Sequence, residues 1–179
     1  MKKYQIIYAD PPWSSNSQFG RDKRKGNPQH YPLMALSNIQ ALPVSELADN
    51  DCALFLWVVD TQLFDALAVI GAWGFKYKTI AFTWVKKTVT SKDHFGVGQW
   101  TRKNPELCLL ATKGKPKRLN ANVRQLQYYR VREHSQKPDE IRDAIVSLMG
   151  ALPRIELFAR QKVEGWDCWG NEVESDIQL

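Results

Sequence analysis

The segment Gln5-Ile6-Ile7-Tyr8-Ala9-Asp10-Pro11-Pro12-Trp13 joins a short apolar run to a stiff turn. The run has the length and composition of a buried strand. The two prolines that follow fix the backbone and remove two N–H donors. In an open α/β sheet, ligands bind beyond the carboxyl ends of the strands. The segment therefore predicts a strand that carries a ligand site at its carboxyl end.

Four further runs, at residues 53–59, 79–85, 107–111 and 155–158, also have the character of buried strands. Uninterrupted apolar strands are typical of a parallel sheet that is covered on both faces. Two helical patterns lie between them. The first is capped by Asp60, has an apolar face of Leu63, Phe64, Leu67 and Ile70, and ends at Gly71 and Gly74. The second starts at Pro138, has a stripe of Ile141, Ala144, Ile145 and Leu148, and ends at Gly150. This alternation predicts an α/β fold with a mostly parallel central sheet and helices on both faces.

The length of 179 residues predicts one domain over residues 1–179. With 44% apolar and 25% charged residues, the composition is that of a globular protein. The longest apolar run, residues 53–59, is too short for a membrane span. Three widely spaced cysteines fit reduced thiols and a cytoplasmic location. The three histidines show no metal-ligand spacing, so no metal is expected.

The charge of the chain is unevenly distributed. Residues 1–132 carry 20 basic and 9 acidic side chains, whereas residues 133–179 carry 5 and 10. This asymmetry favours a polyanionic partner on one face, and the seven tryptophans offer surfaces on which bases stack. Composition alone leaves open a solvated basic surface around a tryptophan-rich core.

The turn Asp10-Pro11-Pro12-Trp13 combines a carboxylate and free carbonyls with an indole ring. Such acceptors suit a planar group that bears an exocyclic amine, because the amine donates to them while the ring stacks on Trp13. The alternative is a proline-stiffened turn with a core tryptophan. The four residues alone do not decide between the two.

Further motifs follow this turn in a fixed order. They are Tyr31-Pro32-Leu33-Met34, Leu54-Phe55-Leu56-Trp57, Trp73-Gly74-Phe75, Trp84-Val85-Lys86, Glu106-Leu107, Lys113-Gly114-Lys115-Pro116, Gln136-Lys137-Pro138-Asp139-Glu140, Ile155-Glu156-Leu157-Phe158-Ala159-Arg160 and Gly165-Trp166-Asp167-Cys168-Trp169-Gly170-Asn171-Glu172. The set resembles the family of the seventy-kilodalton subunit of mRNA adenosine methyltransferase, and in particular its short bacterial and phage branch. The resemblance implies a Rossmann-like S-adenosylmethionine methyltransferase fold in which the catalytic half precedes the cofactor half.

The resemblance also implies roles for individual residues. The catalytic residues would be Asp10, Pro11, Pro12 and Trp13, and the cofactor S-adenosylmethionine would be held by Asp10, Lys137, Phe158, Arg160, Asn171 and Glu172. Tyr31 would contact the target. The implied activity is direct methyl transfer to the N6 amine of adenine, in DNA rather than RNA. RNA adenosine methylation, a catalytically inactive nucleic-acid-binding relative, and a cytosine-N4 or small-amine methyltransferase on the same fold are the alternatives.

Three basic regions are expected to flank the mouth of this site and to contact phosphates. They are Arg21, Lys23, Arg24 and Lys25; Lys86, Lys87, Arg102 and Lys103; and the acid-free stretch of residues 113–132. The loop at residues 86–104 is our candidate for reading the target sequence. The oligomeric state, monomer or homodimer, is left open.

One departure from the family pattern concerns the cofactor segment. The family's Phe-Gly-Arg is Phe158-Ala159-Arg160 in this chain. We expect little penalty from the alanine unless its position requires a positive φ.

Overall fold

The strands form one mixed sheet in the computed structural model, which describes residues 2–13, 33–98, 100–132 and 136–179. The seven strands in these residues are β1 (Tyr4–Ala9), β2 (Ala48–Val58), β3 (Lys76–Lys87), β4 (Glu106–Lys113), β5 (Leu126–Arg130), β6 (Arg154–Leu157) and β7 (Asp167–Trp169). Their spatial order is β5-β3-β4-β2-β1-β6-β7. β4 is antiparallel to both of its neighbours, and every other pairing is parallel. The predicted mostly parallel sheet is confirmed.

Helices cover both faces of the sheet, as predicted. In the described residues they are α1 (Leu36–Ala41), α2 (Val44–Leu47), α3 (Leu63–Ala72) and α4 (Glu140–Met149), with a 3-10 turn at Asp60–Gln62. Residues of α1, α2 and α3 share a core with Ile7 and Leu54, whereas α4 packs with Tyr8 and Phe55. Because successive residues of a strand point to opposite faces, β1 and β2 are buried on both sides. None of the helices in these residues is long and apolar enough to cross a membrane.

The apolar face predicted for α3 is only partly right. Its buried residues are Ala66, Val69 and Ile70, while Phe64 is 86% exposed. Asp60 does not cap the helix either, since it begins the 3-10 turn that precedes Leu63. The side of α3 that packs against the core therefore carries Ala66, Val69 and Ile70 rather than Phe64.

The prediction for α4 is closer. Ile141 and Ile145 are fully buried, and the helix ends at Gly150 with a φ of +92°. Pro138 lies just before the helix rather than in its first turn, and its carbonyl accepts the N–H of Ile141 at 3.2 Å. The helix therefore starts three residues after Lys137, near the carboxyl edge of the sheet.

Trp57, Trp73 and Trp84 are buried in the core, and each indole N–H has an acceptor. Trp57 donates to the Tyr8 hydroxyl at 2.7 Å, Trp73 donates to a backbone carbonyl at 2.8 Å and Trp84 to another at 3.0 Å. Because buried polar groups need partners, these bonds hold the rings in fixed orientations.

Candidate active site

The turn that follows β1 is fixed by its own hydrogen bonds. The N–H of Trp13 donates to the Pro11 carbonyl at 2.8 Å, and the N–H of Met34 donates to the Pro12 carbonyl at 3.0 Å. The Trp13 indole N–H donates to the Trp57 carbonyl at 3.0 Å, which orients the ring. The Pro11 carbonyl, expected to be free, thus has one intramolecular donor and keeps its second lone pair.

A charge cluster lies beside this turn. The ammonium group of Lys137 is 2.7 Å from a carboxylate oxygen of Asp10 and 3.2 Å from one of Glu106. It also lies 5.5 Å from the centre of the Trp57 ring. Glu106 is shared with Lys86, which forms a second ion pair with it. Asp10, Lys137 and Glu106 therefore form a run of alternating charges on the wall of the site, and Lys86 extends it behind the wall.

Burial and these charges act together on the ionisation of the cluster. Burial raises the pKa of Asp10 above its ordinary 3.8, with a further contribution from Glu106 and against the attraction of Lys137. Burial opposes the charged form of Lys137, but the two carboxylates outweigh it and raise the pKa of the lysine. Burial likewise opposes ionisation of Glu106, yet Lys137 and Lys86 lower its pKa below the ordinary 4.5. Asp10 is therefore the carboxylate of the pair that takes up a proton more readily.

The cofactor segment predicted from the resemblance follows β6. Phe158 has a φ of +61°, and its ring meets that of Trp169 edge-on, with 5.3 Å between ring centres. Ala159, the residue that departs from the family pattern, is not among the described residues with positive φ, so the condition under which alanine would carry a penalty is not met. The N–H of Ala159 donates to the Trp169 carbonyl at 2.9 Å. A Cβ at Gly170 would lie 2.2 Å from the Ala159 carbonyl oxygen, so this close approach requires glycine.

Arg160 and Glu172 face each other across this segment. The Arg160 Nε is 3.1 Å from a Glu172 carboxylate oxygen, and both side chains remain partly exposed. Asn171 precedes Glu172 on the wall of the same cavity. The pair presents N–H donors and carboxylate acceptors side by side, which is the chemistry that vicinal hydroxyl groups need.

One cavity of about 510 Å³ brings the predicted catalytic and cofactor residues together. Its lining includes Asp10, Pro11, Pro12, Trp13, Lys137, Phe158, Arg160, Asn171 and Glu172. This volume falls in the range of roughly 300–1,000 Å³ typical of small-molecule sites. The predicted contacts Tyr31, Arg21, Lys23, Arg24 and Lys25 lie outside the described residues.

Four polar residues of this cavity have no role in the sequence prediction. They are Asn38, Thr61, Gln62 and Glu106, of which Gln62 is buried. Glu106 starts β4, and only because that strand is antiparallel does its first residue reach the carboxyl ends of β1 and β2. The apolar run at residues 107–111 predicts the strand but not whether it is parallel or antiparallel to its neighbours. The Glu106-Leu107 motif was the one available signal.

The predicted phosphate contacts of the second basic region all have intramolecular partners. Lys86 pairs with Glu106 and Lys87 with Asp93, while Lys103 pairs with Asp60 at 2.6 Å. Arg102 donates to the backbone carbonyls of residues 95 and 96. None of the four lines the cavity, and they hold the segment of residues 86–104 beside it.

The third basic region does not lie where it was expected. Lys113 pairs with Cys52 in the β2–β4 register, at the edge of the sheet opposite to Asp10, and the Lys115 N–H donates to Asp51. The prediction that residues 113–118 flank the mouth of the site is therefore wrong. The prediction assumed a mostly parallel sheet, and a β4 parallel to β2 would have placed Lys113 at the same edge as Asp10. Arg130, at the carboxyl end of β5, does lie at the edge that carries the site.

Comparison with known proteins identifies the family of the chain. The MT-A70 family profile matches residues 4–172. The Type II methyltransferase M.MunI of a Mycoplasma species is 38% identical over 189 residues, covering 96% of this chain and 78% of that protein. The human N(6)-adenosine-methyltransferase catalytic subunit METTL3 is 28% identical over 177 residues, covering 96% of this chain and 28% of METTL3. An Arabidopsis thaliana N(6)-adenosine-methyltransferase MT-A70-like protein is 29% identical over 175 residues, covering 95% and 24%.

Together, the α/β sheet and the Asp-Pro-Pro-Trp turn at its carboxyl edge define an amino-methyltransferase. The chain belongs to the MT-A70 family, because the family profile covers nearly all of it. This confirms the resemblance drawn from the ordered motifs. The chain spans about a quarter of the length of the two N(6)-adenosine-methyltransferases and most of the length of M.MunI.

Proposed function

We propose that the chain is a DNA adenine-N6 methyltransferase that uses S-adenosylmethionine and acts in the cytoplasm through one catalytic domain, residues 1–179. The observation that carries the proposal is the meeting of Asp10 and Lys137. They are 127 residues apart in sequence, yet 2.7 Å apart on the wall of the cavity that also holds the cofactor segment. The 38% identity to a Type II methyltransferase favours DNA as the substrate.

The residues present fit S-adenosylmethionine chemically. The molecule has a carboxylate, a sulfonium cation and ribose hydroxyls. Lys137 would meet the carboxylate, Asp10 a positive charge, and the Arg160–Glu172 pair together with Asn171 the hydroxyls. When bound, the cofactor supplies a methyl group on a sulfonium centre that is open to nucleophilic attack.

Asp10 and Pro11 would prepare the target amine for that attack. The N6 nitrogen of adenine is a poor nucleophile because its lone pair is conjugated with the ring. The Asp10 carboxylate and the free lone pair of the Pro11 carbonyl would accept its two hydrogens, which favours a pyramidal nitrogen. Catalysis would then rest on positioning and electrostatics, without a covalent enzyme intermediate.

Trp13 would stack on the adenine. Its ring is held by the hydrogen bond to the Trp57 carbonyl and lines the cavity, so the stacking surface is in place before a base arrives. An adenine inside a duplex cannot reach a cavity at the carboxyl edge of the sheet. The target base must therefore leave the stack.

The test is methyl transfer from labelled S-adenosylmethionine to DNA and to RNA in parallel, followed by nucleoside analysis. We expect N6-methyldeoxyadenosine, and its loss in Asp10→Ala with the fold retained. Asp143→Asn, at an exposed carboxylate of α4, is the matched control and should keep full activity. Retained activity in Asp10→Ala would refute the mechanism.

RNA adenosine methylation is the second candidate function. It is favoured by the identity of 28–29% to N(6)-adenosine-methyltransferases over at least 95% of this chain. In the same experiment, methylated adenosine from RNA without methylated deoxyadenosine would select it. Absence of transfer to either polymer would indicate an inactive relative.

A further inference from the structure

The segment between β3 and β4 is a folded projection, which we call the rim loop (residues 88–103). The Gly96 N–H donates to the Lys103 carbonyl at 2.6 Å, and Arg102 Nε donates to the Gly96 carbonyl at 2.9 Å. At the base of the loop, the Asn104 side chain donates to the carbonyls of Lys86 and His94 at 3.0 and 2.6 Å. Its described residues are thus held at the neck by both backbone and side-chain bonds.

The tip of the rim loop exposes large apolar side chains. Trp100 is 97% exposed, Val97 85% and Phe95 60%. Gly98 allows the tight turn between them, because a Cβ there would lie 1.9 Å from the Thr101 carbonyl oxygen. Exposing such side chains costs free energy, so a cluster of them on a fixed neck indicates a surface that becomes covered on binding.

The rim loop is attached to the mouth of the cavity. Lys103, in its neck, pairs at 2.6 Å with Asp60. Asp60 directly precedes Thr61 and Gln62, which line the cavity. The second attachment is Lys86, which pairs with Glu106 on the cavity wall. The apolar tip therefore projects from the same edge of the sheet that receives the target base.

Charge decides which partner covers the tip. Residues 86–104 carry five basic side chains and one acidic one, Asp93, and the segment stays net positive when its ion-pair partners Asp60 and Glu106 are counted. Two copies of this segment would repel each other, whereas a polyanion would be attracted. An apolar tip on a basic support matches a nucleic-acid duplex, which has charged phosphates outside and apolar base faces inside.

We propose that Trp100, assisted by Val97, is a wedge that enters the base stack of duplex DNA beside the target adenine. This inference rests on the proposed function. Removing a base from the stack costs unpairing and leaves a gap between its neighbours. An apolar side chain that fills the gap offsets part of this cost, as wedge residues of other DNA-binding proteins do at kinked steps. The wedge acts on the substrate before the chemical step and contacts neither the amine nor the cofactor.

The test compares wild type with Trp100→Ala, Trp100→Phe and Val97→Ala on two DNA substrates. Both contain the site mapped from wild-type methylation. In one substrate the target adenine is paired in a duplex, and in the other it lies in an unpaired bubble. Leu119→Ala is the control, since Leu119 is an exposed apolar residue that is hydrogen-bonded to the carboxyl end of α4 at the opposite edge. A duplex with 2-aminopurine at the target position reports unstacking by its fluorescence.

We expect Trp100→Ala to lower kcat/KM on the duplex about tenfold or more, since the gap left by the target base is then unfilled. On the bubble substrate kcat/KM should fall less than about twofold, because the target adenine there is already unpaired. Val97→Ala should show a smaller loss of the same kind, and Trp100→Phe and Leu119→Ala should resemble wild type. The 2-aminopurine signal should fall in Trp100→Ala.

Three results would overturn the wedge while leaving the proposed function intact. The first is equal activity of Trp100→Ala and wild type on the duplex, and the second is an equal loss on duplex and bubble. The third concerns the oligomeric state. A wild-type dimer in sedimentation that Trp100→Ala converts to monomer would identify a second copy as the occupant instead. If wild type methylates no DNA at all, the proposed function fails, and that failure is visible before any variant is made.

Discussion

Lys137 and Arg142 are two cations with largely buried side chains, five residues apart. Both form ion pairs with carboxylates, but the two sets of ion pairs have different roles in this fold. Arg142 forms two bonds to Glu156, at 2.6 and 2.9 Å, and a third to Asp139 at 2.6 Å. Lys137 also has two carboxylate partners, but both of them line the main cavity. The Arg142 guanidinium group donates to carboxylates of the protein, whereas Lys137 and its two carboxylate partners line a cavity that is large enough for a small molecule. Depth of burial alone therefore does not separate a structural ion pair from a site.

The comparison predicts its largest effect at the structural pair. Arg142→Met leaves Glu156 buried without its partner, so we expect the free energy of unfolding to fall by about 3–5 kcal/mol. Urea denaturation followed by circular dichroism measures this. The double variant Arg142→Met/Glu156→Leu removes both charges and should recover most of the loss. An unchanged midpoint in the single variant would show that the pair does not hold α4 to β6.

At the other cluster, the expected effect is on activity rather than stability. Asp10→Asn keeps the shape but weakens the acceptor for the N6 amine, and we expect kcat to fall about 10²–10³-fold. Because burial raises the pKa of Asp10, its ionised form is disfavoured by the fold. The variant should therefore melt no lower than wild type. If Asp10→Asn lowered the melting temperature and retained methyl transfer, the Asp10–Lys137 pair would be structural rather than part of the active site.

The third prediction concerns Lys137 itself. Lys137→Met removes one charge-assisted contact to the cofactor, so we expect KM for S-adenosylmethionine to rise about tenfold to a hundredfold. The effect on kcat should be smaller, because the contact is equal in ground and transition states. Steady-state kinetics with varied cofactor separates the two parameters. Lys78→Met, at an exposed lysine of β3, is the matched control and should leave both unchanged.

Much of the fold could be predicted because its central strands are buried on both faces and read as plain apolar runs. β1, β2, β4 and β6 are of this kind. β5 was not predicted because it is an edge strand with Leu126 and Tyr128 exposed. β7 was not predicted because it has only three residues. Such strands bury too little apolar surface to leave a pattern.

The site was predictable in its residue types but not in its geometry. Local pattern indicates an acceptor turn at Asp10, yet nothing local joins it to Lys137, and that link came from the resemblance. Glu106 was missed as a site residue because an apolar run does not reveal strand direction. For the same reason Lys113 was predicted at the wrong edge. Because β4 is antiparallel to β2, its last residue lies at the edge where β2 begins. Direction is set by how the chain connects across the sheet, which composition does not encode.

The smallest expected effect is a shift in pH dependence that separates the two carboxylates around Lys137. Asp10 must be ionised to accept the amine, so kcat/KM should fall on the acid side as pH drops through its pKa, which lies above 3.8. Glu106 contributes to that elevation. Glu106→Gln should therefore lower the pKa of Asp10 and move the acid limb to lower pH.

Asp10 and Glu106 change the stability of the fold with pH in opposite directions. The raised pKa of Asp10 gives stability at low pH that is lost as pH rises through its folded-state pKa. The lowered pKa of Glu106 gives stability above about 4.5 that is lost as pH falls through its folded-state pKa. Glu106→Gln should thus flatten the acid unfolding curve while it extends activity to lower pH. If the acid limb moved to higher pH instead, the carboxylate that limits activity would not be Asp10, because removal of a neighbouring negative charge can only ease its ionisation.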